Sequence, residues 1–294
     1  MRAEMRFAYL IMAHHRFDVL KLLLEDLDDE RNDIFLHIDR KSKDFKVDLI
    51  EDVVCKAKLI LVDRIPVFWG DFSQILCELK LLKTAVRHGY HDYYHLMVGV
   101  EFPIKTQDEI YSFFEEHRGC EFVGYNNEDS FIDRIRYYHL FQKYRRCKEK
   151  NWIEQHLYDW GGKLLDKQMQ RGVNRIRYHE AEYKKGYANW SITHELACYV
   201  VSQERKIKRK YRHTLCADEV FLHTLVYNSS FYDQVYDKED EYHSIMRLVT
   251  WEDKRNQYHM DDLPMLLESD KLFARKFDSE DAVEIINQIV KYRR

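Results

Sequence analysis

The chain has 294 residues, of which 45% are hydrophobic and 33% are charged, a balance typical of a folded globular protein rather than a disordered one. Its formal net charge is −4, which argues against a globally basic nucleic-acid-binding protein. No apolar stretch approaches the roughly 18 residues of a membrane-spanning helix, and the first residues do not have the pattern of a signal peptide. We therefore expect a cytoplasmic protein.

The first 125 residues alternate between apolar runs and helical spacing. Strands are predicted at 7–12, 33–39, 58–62 and 93–98, and a fifth in the sequence CEFVGY at 120–125. Apolar residues at helical spacing lie between them, and Thr106 with Glu109 forms a capping box that begins one helix. Alternating strands and helices predict an α/β fold with a mostly parallel central sheet flanked by helices.

Three of the predicted strands end in polar sequence. These ends read AHHRFD, HIDRKS and VGVEFPIKT. The carboxyl ends of parallel strands share one edge of a sheet, where open α/β folds bind their ligands. We therefore expect the three segments to converge on one crevice.

The pattern weakens at about 126–183, which is basic and aromatic and includes the sequence DRIRYYHLFQKYRRCKEKNW. We interpret it as a helical insertion within a single domain that spans 1–294. The α/β pattern then resumes with a strand at 188–192, a helix capped by Thr193 and a strand at 245–251. The six cysteines contain no CxxC pair, which favours free, mostly packed thiols over a zinc or disulfide framework.

The sequence has no glycine-rich phosphate loop, since it contains only 9 glycines and neither a GxGxxG nor a Walker motif. Any phosphate ligand must then be held by side-chain cations. The DLDD sequence at 26–29 contains a DxD, but it follows a helix, so a solvated helix end is the favoured interpretation. At the second strand end Arg40 and Lys41 follow Asp39, which argues against a metal site there.

Two further segments combine charge with apolar flanks. In CADEVFLHTL, Asp218 and Glu219 precede a helical stripe, so they are predicted to cap a helix, or one of them acts as an ionised general base. Taken alone, the cap is the favoured interpretation. In LFARKFD, Arg275 and Lys276 lie between two phenylalanines, and either they form a solvated face, which is favoured, or one cation points inward. Arg247 is another cation in an apolar stretch.

Taken together, the order and spacing of these motifs resemble the Core-2/I-branching β-1,6-N-acetylglucosaminyltransferase family, whose relatives include peptide O-xylosyltransferases. The matching stretches include AYLIMAHHRFDVLKLLL, IFLHIDRKS, YYHLMVGVEFPIKTQDEI, GYANWSITHE, CADEVFLHTLVYNS, MRLVTW and LFARKFD. The resemblance implies a GT-A-like, Rossmann-type nucleotide-sugar fold and an inverting reaction without a metal or other cofactor. The segment at about 126–183 has no match.

The resemblance also implies site residues. Glu219 corresponds to the catalytic base and Lys276 to the cation that contacts the diphosphate. Arg247 is the best match for a second diphosphate cation, with Arg255 as the alternative. The other implied positions are Asp39, His14 and Arg16 for the donor nucleotide and Glu101, Trp190 and Asp218 for the substrate. Two of these motifs depart from the family pattern, with Ala217 in place of proline and Glu101 in place of aspartate.

The expected activity is transfer of GlcNAc from UDP-GlcNAc to a glycan or glycolipid hydroxyl in bacterial surface polysaccharide synthesis, with UDP-xylose as the alternative donor. The insertion is expected to contact a membrane surface or the acceptor, and unchanged binding to anionic lipid vesicles after neutralising Arg145, Arg146 and Lys148 would exclude the membrane contact. Two rival hypotheses are a nucleic-acid-binding protein that uses residues 134–150 and a sugar-nucleotide-binding protein without catalytic activity.

Overall fold

A computed structural model describes residues 4–126, 129–147, 149–178, 181–249 and 256–293 of the chain. The strands are β1 (Phe7–Ala13), β2 (Asn32–Ile38), β3 (Lys58–Val62), β4 (Tyr93–Val98), β5 (Glu101–Pro103), β6 (Ser191–Thr193), β7 (Arg247–Val249) and β8 (Phe273–Arg275). The helices are α1 (Phe17–Asp26), α2 (Ser73–His88), α3 (Gln107–Glu116), α4 (Ile132–Arg136), α5 (Trp152–Gln170), α6 (His194–Ser202), α7 (Glu204–Tyr211), α8 (Phe221–Tyr227), α9 (Glu241–Ile245), α10 (Leu263–Glu268) and α11 (Ala282–Arg293).

The central sheet has the strand order β3-β2-β1-β4-β6. The first four of these strands are parallel to one another, and β6 pairs antiparallel with β4. The predicted fold class, an α/β fold with a mostly parallel central sheet flanked by helices, is therefore confirmed. The apolar runs predicted β3 and β4 to the residue and β1 and β2 to within one residue.

Both faces of the central sheet are covered, as its continuous apolar strands require. Alternate side chains of β1 point to opposite faces: Tyr9 packs in one core cluster with α1, α3 and α11, and Leu10 packs in the other with α2, α6 and α8. Two predicted helix caps are also present. Thr106 and Glu109 form a complete capping box at α3, and the Thr193 side chain caps α6.

A second, three-stranded sheet has the order β5-β8-β7. In β8, Arg275 lies opposite Glu101 of β5 in an antiparallel pair, and Phe273 lies beside Arg247 of β7 in a parallel pair. Just beyond β8, the amide of Phe277 donates to the carbonyl of Val100 over 2.9 Å. These pairings bring the end of β8 to the carboxyl edge of the central sheet.

The predicted insertion contains helices α4 and α5 with 3-10 turns at Gln142–Tyr144 and Arg175–Tyr178. Gly161 is the only buried residue of α5, whereas Trp152 and Trp160 on that helix are 79% and 50% exposed. This segment therefore contains helices and turns and packs less tightly than the sheet layers, and its status as an insertion within one domain stays a prediction.

The fifth predicted strand is wrong. Residues 120–125 form only isolated bridges, between Glu121 and Val235 and between Phe122 and Ser191, because β6 occupies the sheet position beside β4. The strand predicted at 245–251 is described only in part, since residues 250 and 251 lie outside the described ranges. The six cysteines are free, as predicted. No helix in the described part of the chain is long and apolar enough to cross a membrane.

Candidate functional site

The polar ends of β1, β2 and β4 lie side by side, as the sequence predicts. The amide of Asp39 donates to the carbonyl of Ala13 over 2.8 Å, and the amide of Gly99 donates to the carbonyl of Met12 over 2.9 Å. Ser42 Oγ, in the loop after β2, donates to the carbonyl of His14 over 2.6 Å. The loops after the three strands therefore form one crevice at the carboxyl edge of the sheet.

Lys276 reaches this crevice from the end of β8. Its Nζ lies 2.5 Å from Asp278 Oδ2, and Asp278 Oδ1 lies 2.8 Å from His15 Nε2. We call Lys276, Asp278 and His15 the edge cluster. Burial raises the pKa of Asp278, but the hydrogen bond from Lys276 and the charge of His15 outweigh burial and lower this pKa below its ordinary value. The Lys276 side chain is 33% exposed, so the ammonium group is open to a ligand.

Asp39 and His14 line the same crevice. Asp39 is buried, accepts from the backbone amide of Lys41 over 2.8 Å and lies 2.9 Å from Lys41 Nζ. Burial, followed by the charges of its neighbours His15 and Lys276, lowers the pKa of His14 to about 4. His14 is thus neutral at pH 7, and its ring can offer one donor and one acceptor.

Arg16 also lies at the crevice, but its side chain is occupied. The residue has left-handed backbone geometry, with φ at 51°. Its guanidinium binds Asp18 through two nitrogens, at 3.0 and 2.8 Å, and donates to the carbonyl of Ser279 over 2.5 Å. In this arrangement Arg16 ties the start of α1 to the segment that follows the edge cluster.

Glu219 ends a 3-10 turn at Ala217–Glu219, one residue before the N-cap of α8. Its Oε2 accepts from Arg134 Nη1 over 2.6 Å, and the Glu219 side chain is 32% exposed. Arg134 belongs to α4, so the insertion supplies a cation directly beside the predicted base. The contact engages one of the two carboxylate oxygens of Glu219.

Asp218 points the other way, into the protein. It is buried, and its Oδ2 accepts from Gln74 Nε2 over 2.7 Å. Burial, and then the charge of Glu219, raise the pKa of Asp218 to about 7. The cap interpretation is wrong for both carboxylates, because the N-cap of α8 is Val220 and has no side-chain cap. The turn is set by tertiary contacts instead.

Two glycines near the Glu219 turn allow the backbone segments around it to pack closely. The amide of Gly186 donates to the carbonyl of Glu219 over 3.0 Å, and a Cβ added at Gly186 would lie 1.8 Å from the carbonyl oxygen of Gly124. Gly70 has φ at +71° and accepts through its carbonyl from the amide of Cys216 over 3.0 Å. Only glycine fits at either position without moving the Glu219 turn.

Arg275 directly precedes Lys276 of the edge cluster, and the charge of Asp218 in the Glu219 turn acts on it. Its Nη1 donates to the hydroxyl of Tyr187 over 2.6 Å. Burial lowers the pKa of the Arg275 guanidinium, but the neighbouring Tyr187, Glu101 and Asp218 outweigh burial and raise this pKa above its ordinary value. Its Nε–H is buried without a hydrogen-bond partner in the described structure. The Nε–H groups of Arg64 and Arg293 are also buried without a partner there, so this donor does not by itself mark a site.

Arg247 is placed differently from the expectation of an accessible diphosphate cation. Its side chain is 0% exposed, and its Nε donates to Glu101 Oε1 over 2.7 Å. Its other contacts are Ser191 Oγ and the carbonyls of Ile245, Leu96 and Trp190. Because a guanidinium has five N–H donors and these contacts match them, Arg247 has no donor left for a diphosphate in this conformation.

Glu101 and Trp190, both predicted to bind substrate, are also buried. Glu101 accepts from Arg247 and, through Oε2, from Asn189 Nδ2 over 2.6 Å. The Trp190 side chain is 1% exposed and packs in the core cluster that covers the α2 face of the sheet. Both side chains lie behind the crevice rather than on its surface. The alternative to Arg247, Arg255, lies outside the described residues.

The carboxylates of the DLDD sequence are engaged in local structure. Asp28 Oδ1 accepts from three successive backbone amides at 55–57. Asp29 pairs with Arg31 over 2.7 Å, and Asp26 pairs with Arg293. Across the described ranges, no group of three or more His, Cys, Asp or Glu side chains is arranged to hold a metal ion. That the reaction proceeds without a metal stays a prediction.

Sequence reasoning missed the roles of two arginines in this geometry. Arg134 appeared only as part of a basic run, since its partner Glu219 is 85 positions away. Arg275 is one of two neighbouring cations in LFARKFD, and only strand alternation distinguishes them in the sequence. In β8, Arg275 follows Ala274 and contacts Tyr187. Neither contact can be inferred from local sequence.

Comparison with known proteins identifies one matching family and several similar transferases. The Core-2/I-Branching enzyme family matches residues 7–265. The chain is 21% identical to a xylosyltransferase from Ciona intestinalis over 97% of this chain and 34% of that protein, and 22% identical to xylosyltransferase 2 from Rattus norvegicus over 96% and 33%. It thus spans about a third of the length of these curated relatives.

Two further similarities are to a glucosaminyltransferase sequence and to a solved structure. A human beta-1,3-galactosyl-O-glycosyl-glycoprotein beta-1,6-N-acetylglucosaminyltransferase is 28% identical over 37% of this chain and 26% of that protein. Among solved structures, apo mouse xyloside xylosyltransferase 1 covers 91% of this chain and 96% of its own, with 12% identity and a TM-score of 0.36.

Proposed function

This chain belongs to the Core-2/I-branching enzyme family, and from that premise we propose that it is an inverting glycosyltransferase that works without a metal ion. The observation that carries the proposal is the arrangement around Glu219. A half-buried carboxylate paired with Arg134 stands on a turn whose Asp218 acts electrostatically on Arg275, and Arg275 directly precedes Lys276 of the edge cluster. A base and separate cations on one crevice are the parts that displacement at an anomeric carbon requires.

Glu219 is the proposed general base. An acceptor hydroxyl hydrogen-bonded to its free carboxylate oxygen loses its proton as the oxygen attacks the anomeric carbon from the face opposite the leaving group. The transition state carries oxocarbenium-like charge on the sugar. The ion pair with Arg134 holds the carboxylate in a fixed orientation, which supports its role as a positioned base.

The departing nucleoside diphosphate builds negative charge that fixed cations can stabilise. Lys276 is the first proposed cation, because its ammonium group is half-buried and shares only Asp278 as a close acidic partner in the described structure. Arg275 is the second, supported by its place at the end of β8 directly before Lys276. His14, Arg16 and Asp39 are proposed to form the nucleotide side of the crevice.

Arg247 then has a different proposed role. Its buried pair with Glu101 joins β7 to β5, and β8 lies between these two strands. Arg247 and Glu101 are positioning residues that hold β8, and with it Arg275 and Lys276, at the edge of the crevice. Asp218 and Trp190 are proposed to support the Glu219 turn and the sheet behind it.

The donor and acceptor follow from the relatives. UDP-GlcNAc and UDP-xylose are the proposed donors, since the relatives carry the names of N-acetylglucosaminyl- and xylosyltransferases. The proposed acceptor is a hydroxyl of a glycan or glycolipid. Its setting in bacterial surface polysaccharide synthesis, and a peripheral membrane contact, remain predictions from the sequence.

Calorimetric titration with UDP, in the presence and absence of EDTA, tests the donor half of the proposal. We expect binding that EDTA does not change and that weakens in Lys276→Ala, because UDP loses a charge-assisted hydrogen bond. Lys80→Ala, which removes a pair with the exposed Asp63, is the matched control and should bind UDP normally. Binding that requires a divalent ion would contradict the metal-free mechanism, and no UDP binding at all would contradict the proposed donor class.

A further inference from the structure

Beside the Glu219 turn, the exposed indole of Trp69 lies under two arginines of the insertion. The Trp69 side chain is 41% exposed. The guanidinium carbon of Arg146 lies 3.4 Å from its ring centroid, and that of Arg145 lies 5.5 Å from it. We call Trp69, Arg145 and Arg146 the Trp69 rim. An exposed aromatic ring with cations around it is a surface suited to a polar, ring-shaped ligand.

The rim is joined to the predicted base by short contacts. Trp69 is followed by Gly70, whose carbonyl accepts from the amide of Cys216 and whose amide donates to Gln74. Gln74 in turn binds Asp218 over 2.7 Å. The charges of both Arg134 and Arg145 act on Cys216. A ligand on the Trp69 rim is therefore next to the turn that presents Glu219.

A cavity of about 450 Å³ adjoins the rim and is lined by Arg145. It lies between α5 and the segment around the 3-10 turn Gln142–Tyr144. Its polar lining includes Gln142, Arg145, Asp159, Lys163 and Asp166, and Leu215 forms its boundary toward the Glu219 turn. Arg145 is the residue that the rim and the cavity share. The volume of the cavity is within the range of small-molecule sites.

The charge of the rim indicates the kind of ligand. Arg134 is neutralised by Glu219, whereas Arg145 and Arg146 form no ion pair with any acidic side chain in the described ranges. Two guanidinium groups over one indole repel each other unless an anion lies between them. Arginine binds planar carboxylate or phosphate groups through paired N–H donors.

We propose that the Trp69 rim and the adjoining cavity form an extended acceptor site for an anionic oligosaccharide, with a sugar ring against Trp69 and its carboxylate or phosphate held by Arg145 and Arg146. This inference rests on the proposed function, because it assigns the acceptor side of the same crevice. It makes the insertion the element that selects the acceptor, while the central sheet binds the donor.

Direct binding of a defined probe tests the proposal without any donor. The probe is a tetrasaccharide of alternating hexuronic acid and N-acetylhexosamine, and its carboxyl-reduced form is the neutral counterpart. At about 150 mM salt, the physiological ionic strength, we expect the acidic probe to bind at least about tenfold tighter than the neutral one. A double variant, Arg145→Gln with Arg146→Gln, should lose about tenfold or more of that affinity, and Trp69→Ala a similar amount.

Matched variants separate this site from general charge and from misfolding. Arg205→Gln with Arg209→Gln removes two exposed charges from α7 and should leave affinity for the acidic probe unchanged. Trp69→Phe keeps an aromatic face and should retain most of the binding even if Trp69→Ala does not fold. UDP affinity should be unchanged in all of these variants, so that failure of the donor site is seen separately.

Three results would overturn the proposal: equal binding of the acidic and neutral probes, equal losses in the α7 and rim variants, or no binding of the acidic probe to a protein that binds UDP. A single-stranded oligonucleotide of equal charge that binds tighter than the tetrasaccharide would also overturn it, in favour of a nucleic-acid surface. Absence of UDP binding together with retained, rim-dependent glycan binding would reject the glycosyltransferase proposal and keep the glycan site.

Discussion

Two cations that the sequence assigns to one task lie in contrasting regions of the molecule. Arg247 is fully buried and saturated by Glu101 and its neighbours, whereas Lys276 in the edge cluster is one-third exposed and shares a carboxylate with His15. A buried charge with every donor matched contributes to the fold, because any rearrangement leaves an unpaired charge in the core. A partly exposed charge with one acidic partner can exchange that partner for a ligand. Burial and donor count are therefore the basis on which we propose a positioning role for Arg247 and a binding role for Lys276.

The largest expected effect is the loss of stability on replacing Arg247, the buried cation of the two. Arg247→Met should lower the free energy of unfolding by about 3–5 kcal/mol, because it leaves Glu101 charged and unpaired in the core. Urea denaturation measures the loss, with Lys80→Met as the control at a half-buried lysine whose partner Asp63 is exposed and whose loss changes stability by less than about 1 kcal/mol. An Arg247→Met protein of normal stability that binds UDP as poorly as Lys276→Ala would show that Arg247 contacts the diphosphate after all.

Lys276→Ala should give the opposite pattern. Affinity for UDP should fall by about 10- to 100-fold, since a hydrogen bond between charged groups contributes about 1.5–3 kcal/mol. The free energy of unfolding should change by less than about 1 kcal/mol, because an ion pair this exposed is screened by solvent. Calorimetry and urea denaturation on the same preparation measure both quantities. A large loss of stability with unchanged UDP affinity would reverse the assignment of the two cations.

Asp218 and Glu219 offer a similar contrast within one turn, and pH can test it. Burial raises the pKa of Asp218 to about 7, so the folded protein keeps a proton that the unfolded chain releases near pH 4. The free energy of unfolding should then fall as pH rises from about 4 to about 7. Between pH 5 and pH 7 this group should account for about 2 kcal/mol of the fall.

Asp218→Asn should remove that contribution and make the pH dependence of stability shallower. Urea denaturation at several pH values between 5 and 8 measures the slope. Asp63→Asn, at a side chain that is 92% exposed, is the control and should leave the slope as it is in the wild type. An unchanged slope in Asp218→Asn would mean that Asp218 titrates normally.

The smallest expected effect comes from removing the hydrogen bond between Arg275 and Tyr187. Tyr187→Phe removes the hydroxyl that accepts from Arg275 over 2.6 Å and should cost about 1 kcal/mol of stability. UDP affinity should fall a few-fold, since Arg275 loses its fixed orientation. Tyr90→Phe, at an exposed tyrosine, is the matched control. Unchanged UDP affinity in Tyr187→Phe would argue against Arg275 as the second diphosphate cation.

The sequence predicts the central sheet well because the information is local. Each of β1 to β4 is a continuous apolar run between helical segments, and the Thr106 and Thr193 caps lie within three residues of the amides they bind. The fifth strand fails because strand pairing depends on which neighbour is free: β6 pairs with β4 and leaves 120–125 at isolated bridges. The three-residue strands β5 and β8 also depend on partners far away in the chain.

The candidate site is predictable only in part for the same reason. Motif resemblance selects His14, Asp39 and Lys276, which lie close together at the carboxyl edge of the sheet, and it selects Glu219, whose role stays a prediction. It cannot separate Arg247 from an exposed cation, since that depends on Glu101, which is 146 positions away. Arg134 is likewise identified only through its contact with Glu219. Long-range pairing of charges, rather than local pattern, decides these assignments.

Acceptor-dependent UDP release by Glu219→Gln, measured with UDP-GlcNAc and UDP-xylose as donors, is the most direct test of Glu219 as the general base. We expect the turnover rate to fall by on the order of 10²–10⁴, while UDP affinity and the free energy of unfolding stay close to those of the wild type. Turnover near the wild-type rate in a folded Glu219→Gln protein would contradict the assignment of Glu219 as the base.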